Sequence, residues 1–88
     1  MIPYDDIDDA VEIANDSTFG LAGYVDGLDQ EACRSVARRL RAGWLGINGG
    51  FDFFAAFGGY KRSGNGREWG EWGFHEYLEI KSILNYAP

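Results

Sequence analysis

Five side chains of this 88-residue sequence could do chemistry where they stand: Cys33, Lys61, Arg62, Arg67 and Glu68. A thiolate at Cys33 would be a nucleophile and a carboxylate at Glu68 a general base. Lys61 and Arg62, set among glycines whose amides point freely, could receive an anion. Spacing tests each idea. A phosphate-cradling P-loop needs Gly-Lys-Ser/Thr opening a helix, and Gly59-Tyr60-Lys61-Arg62-Ser63 lacks that order. A dinucleotide fingerprint must follow a strand, whereas Ser63-Gly64-Asn65-Gly66 follows a long loop. An anion-binding loop of another kind stays open as a reading of Gly58 to Gly66. Cys33 shares an apolar helical stripe with Val36, Ala37 and Leu40, where a thiol packs as a small hydrophobe. Glu68 sits at an expected helix start, where the dipole favours a carboxylate whatever its chemistry. No catalytic or metal-ligating residue is assigned within these residues.

The elements that must position these groups follow from periodicity. Met1 to Tyr4 is apolar enough for a short strand. Asp5, Asp6, Asp8 and Asp9 then mark a helix start, and Ile7, Ala10, Val11 and Ala14 fall on one face of a 3.6-residue period. Leu21 to Val25 reads as a buried strand and Asp26-Gly27 as a turn. Asp29 is placed to cap a second helix bearing the stripe Ala32, Cys33, Val36, Ala37 and Leu40, with Gly43 as its stop. Trp44 to Asn48 completes the order strand, helix, strand, helix, strand. That order predicts an α/β fold: a short parallel three-stranded sheet with crossover helices. Gly49 to Gly66 is a Gly- and aromatic-rich loop of about 18 residues, a length that points to function. A C-terminal helix over Arg67 to Glu79 and a terminal strand over Lys81 to Tyr86 follow, the latter with an unpaired edge.

Composition excludes several classes. A net charge of −6, from 14 acidic and 8 basic residues, disfavours nucleic acid and anionic membranes as partners. The basic groups at 34–41 and 61–67 read as solvated faces. A single cysteine permits no internal disulfide, which suits a reducing compartment, and neither a signal peptide nor a membrane span is legible. A cytoplasmic location is the expectation. A chain this short buries only about 60–65% of its unfolded surface, so stability without a partner or a longer parent is marginal.

Three blocks carry a resemblance. Phe57-Gly58-Gly59-Tyr60-Lys61-Arg62-Ser63-Gly64-Asn65-Gly66-Arg67-Glu68, with Gly70 beyond it, resembles the C-terminal signature of the NAD(P)-dependent aldehyde dehydrogenase superfamily. Ala14 to Ala22 is similar to an upstream segment of that family. Arg41-Ala42-Gly43 with Ile47-Asn48 is similar to the strand that leads into its signature loop. The blocks occur in the family's order and span nearly the whole chain. Ala56 stands where the family usually has proline, and Phe51-Asp52-Phe53-Phe54 is unusually aromatic.

The resemblance implies the C-terminal part of a catalytic domain over residues 1–80, with an oligomerisation strand over 81–88. The parent would oxidise an aldehyde to an acid using NAD or NADP, through a cysteine thiolate and a water-activating glutamate. In the family those groups and the nucleotide site precede the matched region, so no cofactor is expected for the fragment, which alone should be inactive. Phe57 matches a phenylalanine that lines the family's substrate tunnel. Phe51 is the expected second wall residue, with Phe53 and Phe54 as alternatives. The wall is expected beside the C-terminal edge of the parallel layer. Its partners would be the rest of the parent chain or another protomer. A stand-alone protein-interaction module using exposed Trp and Phe is the alternative function.

Overall fold

A computed structural model describes residues 1–85. Helix α1, Ile7–Asn15, starts where the aspartates dictate: the Asp6 side chain accepts from the Asp9 amide at 2.8 Å, and the Asp9 carboxylate accepts from the Asp5 amide at 3.1 Å. A two-residue strand β1, Phe19–Gly20, and then β2, Ala22–Val25, lead to α2, Gln30–Arg39. Asp29 caps α2 as its position requires, accepting from the amides of Glu31 at 3.0 Å and Ala32 at 3.3 Å. Strand β3, Trp44–Ile47, then pairs in parallel with β2, Ala22 opposite Trp44 and Val25 opposite Ile47. A parallel pair needs a crossover, and α2 is it.

The alternation of β3 divides its surroundings. Leu45 faces α2, since a Cβ built on Gly23, its partner in the pair, would lie 2.8 Å from Leu45 Cδ2 and 3.9 Å from Leu40 Cδ1. Trp44 and Gly46 are buried on the other face, where Tyr24 and the glycine-aromatic loop lie. The sheet is therefore covered by a helix on one side and by aromatic rings on the other.

The α/β class and the parallel crossover agree with the sequence, while five details differ. The parallel layer has two strands, not three, among the described residues: Met1 to Tyr4 is exposed and unpaired, because no sheet edge lies beside it. The loop is not structureless. Its residues Tyr60–Lys61 form β4, antiparallel to β1 with Phe19 opposite Lys61 and Gly20 opposite Tyr60. Gly43 does not stop α2, which ends at Arg39 with Leu40 extended; it lies where the chain must touch Gly58. The C-terminal helix, α3, is only Gly70–His75, because Trp69 at φ 68° and Gly70 at φ 59° break any helix begun at Arg67. A Cβ on Gly70 would also strike the Phe54 carbonyl. Lys81 to Asn85 forms no strand, lacking an edge to join, and Tyr86 lies outside the described residues.

Among the described residues, only Val11, Cys33 and Trp44 are buried hydrophobic side chains. The accessible surface is 7396 Å², against about 5200 Å² expected for a compact monomer of this mass. The radius of gyration is 17.5 Å, against about 12 Å for a compact chain of this length. Much of the surplus is apolar: Phe54, Tyr77 and Ile80 are 85%, 90% and 101% exposed. So much exposed apolar surface is unusual for a self-contained monomer.

Candidate functional site

Trp44 is the centre of an aromatic cluster that the loop folds around it. Its ring lies 5.5 Å from Phe51, 6.0 Å from Phe57 and 6.0 Å from Tyr24, all edge-to-face. Trp69 closes the far side, 5.8 Å from Phe51, 5.3 Å from Phe53 and 4.8 Å from Phe57. Such separations are those at which ring quadrupoles attract. Phe51 and Phe57 thus belong to one cluster, bridged by two tryptophans. Phe53 joins it through Phe51 at 4.7 Å; Phe51 and Phe53 are 60% and 64% exposed and Phe54 85%. The loop turns back at Asp52, whose carboxylate accepts from the Phe54 amide at 2.8 Å.

The cluster is a surface, not a tunnel. Phe51 borders an open recess with Trp44, Ile47, Gly50 and Ala55, while Phe57 borders a separate one with Arg67, Glu76 and Tyr77. Nor does Phe57 lie at the carboxyl edge of the parallel pair. Antiparallel pairing of β4 with β1 draws the loop back, so that Gly58 and Gly59 press on Gly43 and Phe57 meets Trp44, the first residue of β3.

The glycine-rich signature from Phe57 to Glu68 is a fastening. Its two ends are joined by reciprocal main-chain bonds, Phe57 N–H to Glu68 carbonyl and Glu68 N–H to Phe57 carbonyl, both 2.7 Å. One Arg67 nitrogen, Nη1, donates to the carbonyls of Gly59, Asn65 and Gly66 at 2.9, 3.0 and 2.9 Å. Arg41 and Arg67 both lie against the Tyr60 ring, at 4.9 and 5.8 Å. Lys61 Nζ donates to the carbonyls of Asn15 at 2.9 Å and Ser17 at 3.1 Å. Ser63 Oγ accepts from the Gly20 amide at 2.9 Å.

These contacts revise the roles read from residue type. Lys61 and Arg67 are more than a solvated face: both donate to main-chain carbonyls, so of the two cations read as possible anion donors, Lys61 already has acceptors of its own. Glu68 is not at a helix start, since α3 begins at Gly70; its contribution here is the main-chain bridge to Phe57. Cys33 is 4% exposed, packed against Gly27, as its stripe predicts. The described residues contain no group of three or more potential metal ligands, and no helix among them is long and apolar enough to cross a membrane.

Two polar residues were not marked as site-forming by their types. Asn15 donates from Nδ2 to the Arg39 carbonyl at 2.9 Å and accepts the Arg41 amide at 2.8 Å, tying α1 to the approach of β3. Asn48, at φ 49°, accepts the Gly27 amide at 2.9 Å and donates to Gln30 at 2.7 Å, holding the turn after β2. The signal available in sequence was their presence inside the two upstream blocks.

Comparison with known proteins places this arrangement. The model of the aldehyde dehydrogenase family matches residues 1–83. A 3-succinoylsemialdehyde-pyridine dehydrogenase from a Pseudomonas species is 54% identical over 87 residues, which is 98% of this chain and 18% of that protein. A putative aldehyde dehydrogenase of Staphylococcus aureus is 53% identical over the same shares. Among solved structures, aldehyde dehydrogenase C of Pseudomonas syringae, in complex with NAD+ and octanal, superposes with a TM-score of 0.89 at 57% identity, over 99% of this chain and 18% of that one. A Mycobacterium tuberculosis aldehyde dehydrogenase complexed with NAD+ gives 0.84 at 41% identity, over 99% and 19%. The chain therefore spans less than a fifth of the length of these relatives. With a family model matched along almost its whole length, the chain belongs to the aldehyde dehydrogenase family.

Proposed function

We propose that these residues form the C-terminal portion of an NAD(P)-dependent aldehyde dehydrogenase, supplying one wall of its substrate tunnel and surface for subunit contacts. Residues 1–80 would complete the catalytic domain and 81–88 its oligomerisation strand. The reaction of the whole enzyme takes an aldehyde, water and the oxidised nicotinamide to a carboxylic acid, the reduced cofactor and a proton. The observation that carries the reading is the half-open aromatic cluster of Trp44, Phe51, Phe57 and Trp69, on a chain whose accessible surface far exceeds that of a self-contained domain. An apolar wall orients a hydrophobic aldehyde and excludes water from the reacting carbon.

The cofactor is assigned to the rest of the parent. The family resemblance puts the nucleotide site before the matched region, and Lys61 and Arg67 already serve carbonyls, so no step of the chemistry is routed through this segment. Its own part is to bind and position.

The test uses two preparations. The 88-residue chain alone, given NAD+ or NADP+ and a panel of aldehydes, is expected to form no reduced cofactor. Grafted intact in place of the matching segment of the Pseudomonas syringae enzyme, it is expected to support oxidation of octanal. In that graft, Phe57→Ala is expected to lower kcat/KM for octanal about tenfold, about 1.4 kcal/mol, chiefly through KM. Turnover by the chain alone that vanishes in Cys33→Ser would refute inactivity. An active graft indifferent to Phe57→Ala would refute the wall.

A further inference from the structure

We infer that Lys61 is a positioning residue: its ammonium clamps the signature loop to the end of α1 and thereby sets where Phe57 stands in the wall. The inference rests on the wall role proposed above for Phe57.

Asn15 is the last residue of α1, and the last turn of that helix carries no basic side chain. Its carbonyl end is the negative pole of the helix, where a cation is favoured. The cation arrives from 46 positions away, as Lys61 Nζ bonds the Asn15 carbonyl and, beyond the helix, that of Ser17. The main chain of Lys61 is itself left-handed, φ 57°, a conformation that a non-glycine residue holds only when its surroundings impose it. The surroundings here are on both sides of it. The Arg62 amide donates to the Thr18 carbonyl at 2.8 Å, and Ser63 Oγ takes the Gly20 amide.

The residues between the clamp and the ring are closely packed. Gly58 and Gly59 are both buried. A Cβ on Gly59 would lie 3.1 Å from the Gly20 carbonyl oxygen and 3.1 Å from Leu21 Cα, while Gly58 and Gly59 lie directly on Gly43. Displacing residue 61 must therefore move residue 57 or break that packing. Asn15 extends the linkage, because its side chain holds the Arg39 carbonyl and the Arg41 amide just before β3. The helix end, the strand approach and the wall loop are thus fixed to one another through Asn15 and Lys61. A long aldehyde, which touches the wall along its tail, should sense a misplaced Phe57. A two-carbon aldehyde should not.

The experiment compares octanal with acetaldehyde in the grafted enzyme. Lys61→Met, which keeps the length of the side chain and loses the donors, is expected to lower kcat/KM for octanal about tenfold through KM, with acetaldehyde changed by less than about twofold. Lys61→Arg, still able to donate to both carbonyls, is expected to recover most of the loss. If Lys61→Met leaves no soluble enzyme, Lys61→Leu, likewise without a donor, carries the same comparison. Equal losses for both aldehydes, or a fall in kcat alone, would assign Lys61 to folding and overturn the inference. So would unchanged kinetics in Lys61→Met beside a clear effect of Phe57→Ala. If Phe57→Ala is silent as well, the wall reading itself fails first.

Discussion

Gly43→Ala in the grafted enzyme is expected to cost about 3 kcal/mol, at the top of the range for overpacking a well-filled site. The added methyl would overlap the carbonyl of Gly58 and lie 2.7 Å from its carbon and 3.0 Å from Gly59 Cα. Those atoms are main chain, held in turn by Gly20, Leu21 and the Arg67 bond to the Gly59 carbonyl, so no side chain can swing aside. Relief requires the loop to lift from the start of β3. The measurements are the thermal midpoint and limited proteolysis between residues 49 and 66. A fall of several degrees together with new cleavage in the loop is expected. A variant of unaltered midpoint and protection would show that Gly58 does not lie on Gly43.

Trp44→Ala is expected to have an effect of similar size or larger, about 3–5 kcal/mol for deleting a buried large aromatic. Trp44 is 8% exposed and meets Tyr24, Phe51 and Phe57, so its loss empties the centre of the cluster and removes three ring contacts at once. Trp44→Phe, retaining an aromatic at the same point, is expected to cost only about 1–2 kcal/mol. Denaturant unfolding of the graft followed by fluorescence gives the difference, and octanal kinetics read the consequence for Phe51 and Phe57. A change under about 1 kcal/mol in Trp44→Ala would mean that the rings are not packed as described.

Both predictions concern residues whose importance periodicity did not reveal. Gly43 read as a helix stop and Trp44 as one member of an apolar run. Each becomes critical only once the loop returns to β3, and that return depends on β4 meeting β1 across about forty residues of chain. The same pairing explains why Phe57 stands at the start of β3 and not beyond its end. Lys61 and Arg67 show the converse error. Charge patterning treats cations as solvated because most are, yet here Lys61 reaches carbonyls at and beyond a distant helix end, and Arg67 reaches carbonyls of its own glycine-rich loop.

Local chemistry determined what could be determined locally. The caps Asp6 and Asp29, the apolar faces of α1 and α2 and the burial of Cys33 follow from residues within one or two turns of each other, and the parallel crossover between β2 and β3 from the order of the elements. The order of the three signature blocks was equally legible, and it carried the family. Tertiary structure alone decided which faces those blocks present to one another: that a lysine closes a helix, that two glycines meet, and that two tryptophans join Phe51 to Phe57. It also decided that, among the described residues, Met1 to Tyr4 and Lys81 to Asn85 join no strand. A strand or helix end is satisfied by whatever lies beside it in space, and for much of this chain those neighbours are far away in sequence.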